Sequence, residues 1–217
     1  MVNLQNYNRI KEELASYKAV LVAVSKTKPM EDLLSLKDNG QQIFGENYVQ
    51  ELVDKNEQLS DVNWHFIGHL QSNKVKFISP FISLIHGTDS INLLSEINKQ
   101  GQKNERVIDC LLQIHIASEE TKFGFSYEEA SQVLENYDLL KMNNIRIRGL
   151  MGMASNTEEE KKIRHEFREL HTFFSSYKQG DFDILSMGMT SDYKSALDEG
   201  STMVRIGSAI FGERVYT

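Results

Sequence analysis

Val20, Leu21, Val22, Ala23 and Val24 form an unbroken apolar run rich in β-branched residues. A strand with one wet face alternates apolar and polar side chains. An unbroken run instead suits a strand buried on both faces, as in a parallel sheet covered by helices. The run stops at Ser25-Lys26-Thr27-Lys28, and Pro29 then removes a backbone donor and ends any further pairing. In α/β folds the carboxyl ends of the strands carry the chemistry. An amine partly desolvated there has a lowered pKa and can attack a carbonyl to form a Schiff base. Lys26 and Lys28 share strand parity, so the run does not choose between them. The plainer alternative is a strand-end lysine that reaches to water.

The rest of the chain repeats the pattern in kind. Leu4, Ile10, Leu14 and Tyr17 space an amphipathic helix ahead of the first strand, Ala19 to Ser25. Met30 to Asn39 reads as a helix ended by Gly40, Gln42 to Gly45 as a strand and Glu46 to Leu59 as its helix. Asn63 to Gly68 is a third strand followed by a short helix from Gln71 to Ile78. Ser83 to Gly87 is a fourth, followed by a helix to Gln100 with Ser90 as its N-cap. Arg106 to Ile116 and a helix from Ser126 to Leu140 come next, then Ile145 to Met151 and a long helix from Thr157 to Tyr177. Phe182 to Met187 with Ser191 to Glu199, and Met203 to Gly207 with a short terminal helix, complete eight strand-then-helix units. Short connections and no low-complexity linker predict one domain over residues 1–217. The fold expected is α/β, a single (β/α)8 TIM barrel with an extra N-terminal helix. A doubly wound open sheet is the alternative, disfavoured because no clear switch point appears.

Composition narrows the function classes. The net charge of −7 argues against nucleic acid or an anionic membrane as the main partner. A single cysteine, Cys110 in the apolar run VIDCLLQI, rules out an intrachain disulfide and any multi-cysteine metal site. It is expected to be buried and inert. The N-terminus has no apolar signal core, and no stretch approaches the roughly 18 apolar residues of a membrane span. A soluble, cytoplasmic protein is expected.

On a barrel all strand ends face one mouth. They are Lys26; Glu46 and Asn47; Gly68 and His69; Thr88; Thr121 and Lys122; Met153; Gly188 to Ser191; and Gly207 with Ser208. No carboxylate cluster and no cysteine–histidine set appears among them. His65 and His69 straddle a strand end, where a spacing of four does not give one face, so no metal site is expected. The chain has no nucleophile elbow, no Walker A loop and no G-x-G-x-x-G. The signals that remain are for a carbonyl and a phosphate. Barrels often hold phosphate with the loops after strands seven and eight, which here read SMGMTSD (186–192) and RIGSAIFG (205–212). Glycine allows close backbone approach, hydroxyls donate, and a helix start adds partial positive charge. Ordinary turn and cap residues would read the same way. Arg205, inside an otherwise apolar strand, must be paired or face the mouth, towards a ligand ring or anion.

The segments AVSKTKP, FGENYVQE, WHFIGHLQSNK, IRGLM, LSMGM and GSTMVRIGSAIFG, in this order from Val20 to Gly212, resemble the pyridoxal 5′-phosphate (PLP) homeostasis protein family. Its members are single-domain barrels related to the N-terminal domain of alanine racemase and to eukaryotic-type ornithine decarboxylase. The resemblance implies that Lys26 bonds to PLP as a Schiff base. It implies that Ser186, Gly207 and Ser208 surround the phosphate, with Met189 and Thr190 beside them. It also implies that Arg205 faces the pyridine nitrogen and that Asn47 and His65 lie near the cofactor's face. This chain departs from the family at Thr190, where many members have serine, and at Gly152 to Ala154, where an apolar residue and proline are common.

An always-charged arginine beside the pyridine nitrogen disfavours its protonation and weakens the cofactor as an electron sink. The related racemases draw a tyrosine base from a second domain and a partner chain, for which a chain ending at Thr217 leaves no room. The resemblance therefore implies a monomeric, non-catalytic PLP carrier or regulator, with PLP-dependent apo-enzymes as candidate recipients. A weak PLP-dependent amino-acid racemase is the alternative. A cofactor-free Schiff-base aldolase is the reading if the resemblance is set aside.

Overall fold

The computed structural model describes residues 2–119, 123–136 and 141–212. The Val20–Val24 run is β1 (Val20–Val24), flanked in parallel by β2 (Ile43–Glu46) and by β8 (Met203–Ile206). Between these lie β3 (Asn63–Phe66), β4 (Leu84–Thr88), β5 (Ile108–Ile114), β6 (Ile145–Gly152) and β7 (Ile184–Met189). They pair in chain order and close an eight-stranded barrel.

The closed sheet explains the unbroken run. Val22 faces the barrel interior with Leu84, Leu111, Met151 and Met203, while Leu21 and Ala23 face the outer layer of helices. Both sets are buried, so neither parity tolerates a polar residue until the strand ends. The outer layer comprises α1 (Leu4–Tyr17), α2 (Met30–Asp38), α3 (Val49–Gln58), α4 (Val75–Ile78) and α5 (Ile91–Lys103). It continues with α6 (Tyr127–Glu135), α7 (Glu160–Tyr177), α8 (Tyr193–Asp198) and α9 (Ser208–Phe211).

The N-terminal helix has a structural task. α1 is capped by the Asn3 side chain, which accepts from the Asn6 amide, and it buries Tyr7, Ile10 and Leu14 at helical spacing. It covers the single turn of α9, with the Asn3 amide donating to the Ile210 carbonyl at 2.8 Å and Asn6 Nδ2 to Ala209 at 3.1 Å. Its flanks are tied by the Tyr7 hydroxyl donating to Gln41 and the Tyr193 hydroxyl donating to Glu13.

Several boundaries differ from the sequence expectation. β2 runs one residue beyond Gly45 and takes in Glu46, which moves that residue from the mouth to the outer face of the sheet. The helix expected from Gln71 begins as a 3-10 turn over Ser72–Lys74 before α4. α6 is described to Glu135; residues 137–140 of the expected helix lie outside the described residues. Cys110 is buried in β5, and burial pushes its thiol pKa far up, so it packs as an apolar side chain. Among the described residues no helix is long and apolar enough to cross a membrane, and no three metal-ligating side chains gather.

The barrel is not uniform. Between β5 and β6 the register steps from Cys110↔Ile147 to Leu111↔Gly149, a bulge that leaves Arg148 without a partner position. Gly149 has φ +147° and lies against the Ile184 carbonyl of β7.

Candidate functional site

The carboxyl ends of β1, β2, β7 and β8 open into one cleft of about 400 Å³, within the usual size range of small-molecule sites. Lys26 and Lys28 enter it from the loop after β1, and Asn47 from the end of β2. Met189, Thr190 and Ser191 come from the loop after β7. Arg205, Gly207 and Ser208 come from β8 and the start of α9. Seven of the nine expected site residues therefore meet: Lys26, Asn47, Met189, Thr190, Arg205, Gly207 and Ser208. Thr121 and Lys122, expected at the mouth after β5, lie outside the described residues.

The two lysines differ in placement. A turn in which the Lys28 amide donates to the Ser25 carbonyl, with Thr27 at φ +63°, carries the chain away from β1. Lys28 Nζ donates to the carbonyls of Phe211 at 3.0 Å and Gly212 at 3.1 Å, so its ammonium is spent holding the end of α9. Across the cleft the Gly207 amide donates to Thr190 Oγ1 at 3.3 Å, which joins the loops after β7 and β8. Asn47 Oδ1 is buried and has no hydrogen-bond partner among the described residues. A buried acceptor left in that state asks for a donor from a ligand.

Arg205 is 4% exposed, and burial lowers its pKa to about 10. Its guanidinium donates to the Ser186 carbonyl at 2.9 Å, Ser186 Oγ at 2.6 Å and the Gly152 carbonyl at 3.1 Å. All three hydrogen-bond partners are neutral, so this buried cation at the floor of the cleft is offset only by the charge of nearby Asp192. Ser186 Oγ lies 3.0 Å from His86 Nδ1, and His86 Nε2 lies 3.0 Å from His65 Nδ1. Burial lowers both imidazoles, His65 to about 3, so both are neutral. The arginine can only donate, and one arrangement uses every proton along the chain. Ser186 accepts from Arg205 and gives its proton to His86 Nδ1; His86 then donates from Nε2 to His65 Nδ1.

Ser186 and His65 thus stand apart from the expected cofactor contacts. Both point into the barrel, but below the cleft. Ser186 is fully buried under Arg205, and His65 lines the opening at the opposite end with Val20, Leu84 and Asp109. Ser186→Ala should strip a partner from both Arg205 and His86, at a cost of about 1–3 kcal/mol. Urea unfolding of the variant measures this, and a change within about 0.5 kcal/mol, the scale of a surface substitution, would mean that the chain of donors contributes nothing.

A second polar cluster lies outside the barrel wall, under the Lys26 turn. Glu46, fully buried, accepts from Lys55 Nζ at 2.7 Å and from the Ser25 hydroxyl at 2.6 Å. Its other oxygen is buried without a partner among the described residues. Burial pushes the Glu46 carboxyl up to about 7, against the pull of Lys55 and Ser25. A carboxyl raised in the folded state binds its proton more tightly there than when unfolded. Its contribution to stability is therefore greatest below the unfolded value near 4.5 and is lost as pH rises through about 7. Glu46→Gln should remove that slope. Urea midpoints at pH 5 and pH 8 should converge in the variant relative to wild type; parallel shifts would refute the assignment.

Sequence reasoning missed this cluster. The signal was the i,i+4 pair Glu51–Lys55 on α3 together with Glu46, which one further residue of strand turns to the same side.

A closed parallel barrel with cationic side chains and hydroxyl-bearing loops at one mouth defines a class, and sequence comparison agrees with it. The family model for the alanine racemase N-terminal domain matches residues 4–215. The chain is 39% identical over 204 residues to the pyridoxal phosphate homeostasis protein of Aquifex aeolicus (strain VF5), covering 91% of this chain and 88% of that one. It is 40% identical over 216 residues to the protein of that name from Haemophilus influenzae, covering 95% and 90%. The chain belongs to the pyridoxal phosphate homeostasis protein family. PipY of Synechococcus elongatus PCC7942, solved without PLP, superposes with a TM-score of 0.87 at 29% identity, covering 96% of this chain and 99% of PipY. PipY solved with PLP bound gives 0.84 at 28%, covering the same shares. An alanine racemase of Clostridium difficile 630 shares the fold, with a TM-score of 0.75 at 14% identity over 99% of this chain and 57% of its own.

Proposed function

We propose that the chain binds PLP in the cleft between β1 and β8, bonded as a Schiff base to Lys26, and takes part in PLP homeostasis without robust catalysis of its own. The observation that carries this reading is the convergence of Lys26 and the buried Arg205 on a cleft with hydroxyl-bearing loops. When bound, the cofactor would supply an aldehyde that condenses with an amine and a phosphate that carries negative charge. The residues present suit such a group. Thr190 and Ser208 would supply hydroxyls to the phosphate, Gly207 would let the backbone approach it closely, and Met189 flanks them. Arg205, held by Ser186, would present its positive charge to the cofactor's pyridine nitrogen. Asn47, whose buried acceptor lacks a partner, would meet a donor on the ligand. Ser186, through its bond to Arg205, and His65, through His86, would hold that guanidinium in place.

Among the described residues, the titratable groups of the lining are Lys26, Lys28 and Arg205, and Lys28 is engaged by carbonyls. Among the described residues the lining holds no carboxylate and no phenol to act as a second proton-transfer group. This, with the names its relatives carry, favours a carrier over an enzyme. The proposed setting is the cytoplasm, as a monomer, with PLP-dependent apo-enzymes as recipients and neither nucleic acid nor membrane as partner.

The test is the visible spectrum of purified protein incubated with PLP, before and after borohydride, with peptide mass mapping. A yellow protein that bleaches and carries a pyridoxyl group on Lys26 supports the reading. A protein that stays colourless overturns it and returns the aldolase. Turnover of a racemisable amino acid that disappears in Lys26→Ala would replace the carrier by the weak racemase.

A further inference from the structure

The cluster under the Lys26 turn is not used by the function proposed above, yet its geometry is directed at that lysine. Lys55, on α3, is 7% exposed, and its ammonium has three acceptors: Glu46 Oε1 at 2.7 Å, Glu51 Oε1 at 2.7 Å and the Ser25 carbonyl at 2.8 Å. Three acceptors use all three of its protons. Glu51 Oε1 also accepts from the Thr27 amide at 2.6 Å. One ammonium therefore ties the carbonyl of the residue before Lys26 directly and the amide of the residue after it through a single carboxylate.

Between those two ties the backbone is strained. Thr27 is β-branched and sits at φ +63°, a conformation that costs about 1–2 kcal/mol for a residue with a Cβ. Such a conformation persists only where its surroundings hold it, and it tends to occur where a side chain must be aimed. Buried ion pairs are poor sources of stability, since well-packed apolar residues often do as well or better. The pair's position, bracketing Lys26, fits aim better than stability.

We propose that Lys55, with Glu46 and Glu51, is a positioning cluster that holds residues 25–27 in the turn presenting the Lys26 amine, rather than that of Lys28, to the cleft. The inference rests on PLP binding at Lys26. It assigns these three residues no contact with the ligand.

The experiment compares wild type with Lys55→Met, Glu51→Ala and Glu51→Gln, each incubated with PLP. Growth of the visible band gives the rate of bonding, and borohydride trapping with peptide mapping gives the share of label on Lys26 and Lys28. Lys55→Met and Glu51→Ala are expected to slow bonding tenfold or more and to move part of the label to Lys28. Glu51→Gln keeps an oxygen for the Thr27 amide and should behave as wild type. Glu51 is partly exposed, so Glu51→Ala decides the matter even if Lys55→Met does not fold. Wild-type rates with label only on Lys26 in the folded variants, whatever their melting temperatures, would overturn the positioning role while leaving PLP binding intact. A wild type that takes no label removes PLP binding, and the positioning role with it.

Discussion

Lys26→Ala should leave the protein folded and abolish the visible band expected of wild type incubated with PLP. Lys26 is partly exposed at the end of β1, so its loss opens no cavity in the core. The hydroxyls of Thr190 and Ser208 and the buried Arg205 remain, so the variant should still bind PLP reversibly through its phosphate. Affinity is expected to fall by at least about 100-fold, roughly 2.7 kcal/mol, because the covalent bond is gone. Equilibrium dialysis gives the affinity, and borohydride should leave no pyridoxyl peptide. Lys28→Ala is the matched control. It removes the ammonium that holds the Phe211 and Gly212 carbonyls, so the melting temperature should drop while the label stays on Lys26. Label lost in Lys28→Ala and kept in Lys26→Ala would reassign the bond.

The largest effect on stability is expected at Gly149. A Cβ built there would lie 1.8 Å from the Ile184 carbonyl oxygen and 2.7 Å from its carbon, and φ is +147°. The obstacle is backbone in the neighbouring strand, so no side-chain rotation relieves it. β6 and β7 would have to separate where they pair through Gly149↔Ile184. The cost of Gly149→Ala should exceed about 4 kcal/mol, beyond most point substitutions and a large share of the 5–15 kcal/mol that holds a typical domain together. Gly180→Ala separates the two causes, because Gly180 also has positive φ, +53°, but has nothing within 4 Å of the added carbon. That variant should lose only about 1–2 kcal/mol. Urea midpoints compare the two, and equal losses would show that backbone angle alone, without the clash, sets the cost.

Much of the architecture could be read from local pattern. Unbroken apolar strands alternating with amphipathic helices demand a covered parallel sheet, and eight of them close. The convergence of Lys26, Asn47, Thr190, Arg205, Gly207 and Ser208 was legible because strand ends share one mouth. What escaped was depth and parity. A strand boundary misjudged by one residue sends a side chain to the other face. Glu46, read as a mouth residue, instead faces α3 and joins Lys55. Height along the axis is set by strand stagger and tilt, which a linear sequence does not display. Ser186 and His65 point into the barrel but do not line the cleft. Pairing across the wall is equally hidden, since Ser25, Glu46, Glu51 and Lys55 come from three elements and only Glu51–Lys55 has a spacing that announces itself.

The cleft straddles the joint between the first strand and the last. Lys28 reaches Phe211, 183 positions later in the chain, and Val22 pairs with Arg205 across the same joint. Contacts between such distant parts are the slowest to form, because the loop they close is almost the whole polypeptide. A ligand bonded on the β1 side and gripped through its phosphate on the β8 side would act as a staple across the last seam to shut. Occupancy should then slow unfolding more than it speeds folding, and the amides of β1 and β8 should gain the most protection from hydrogen exchange. A loaded barrel would be harder to open at the very place where the cargo must leave, so release to a recipient would be coupled to loosening of that seam.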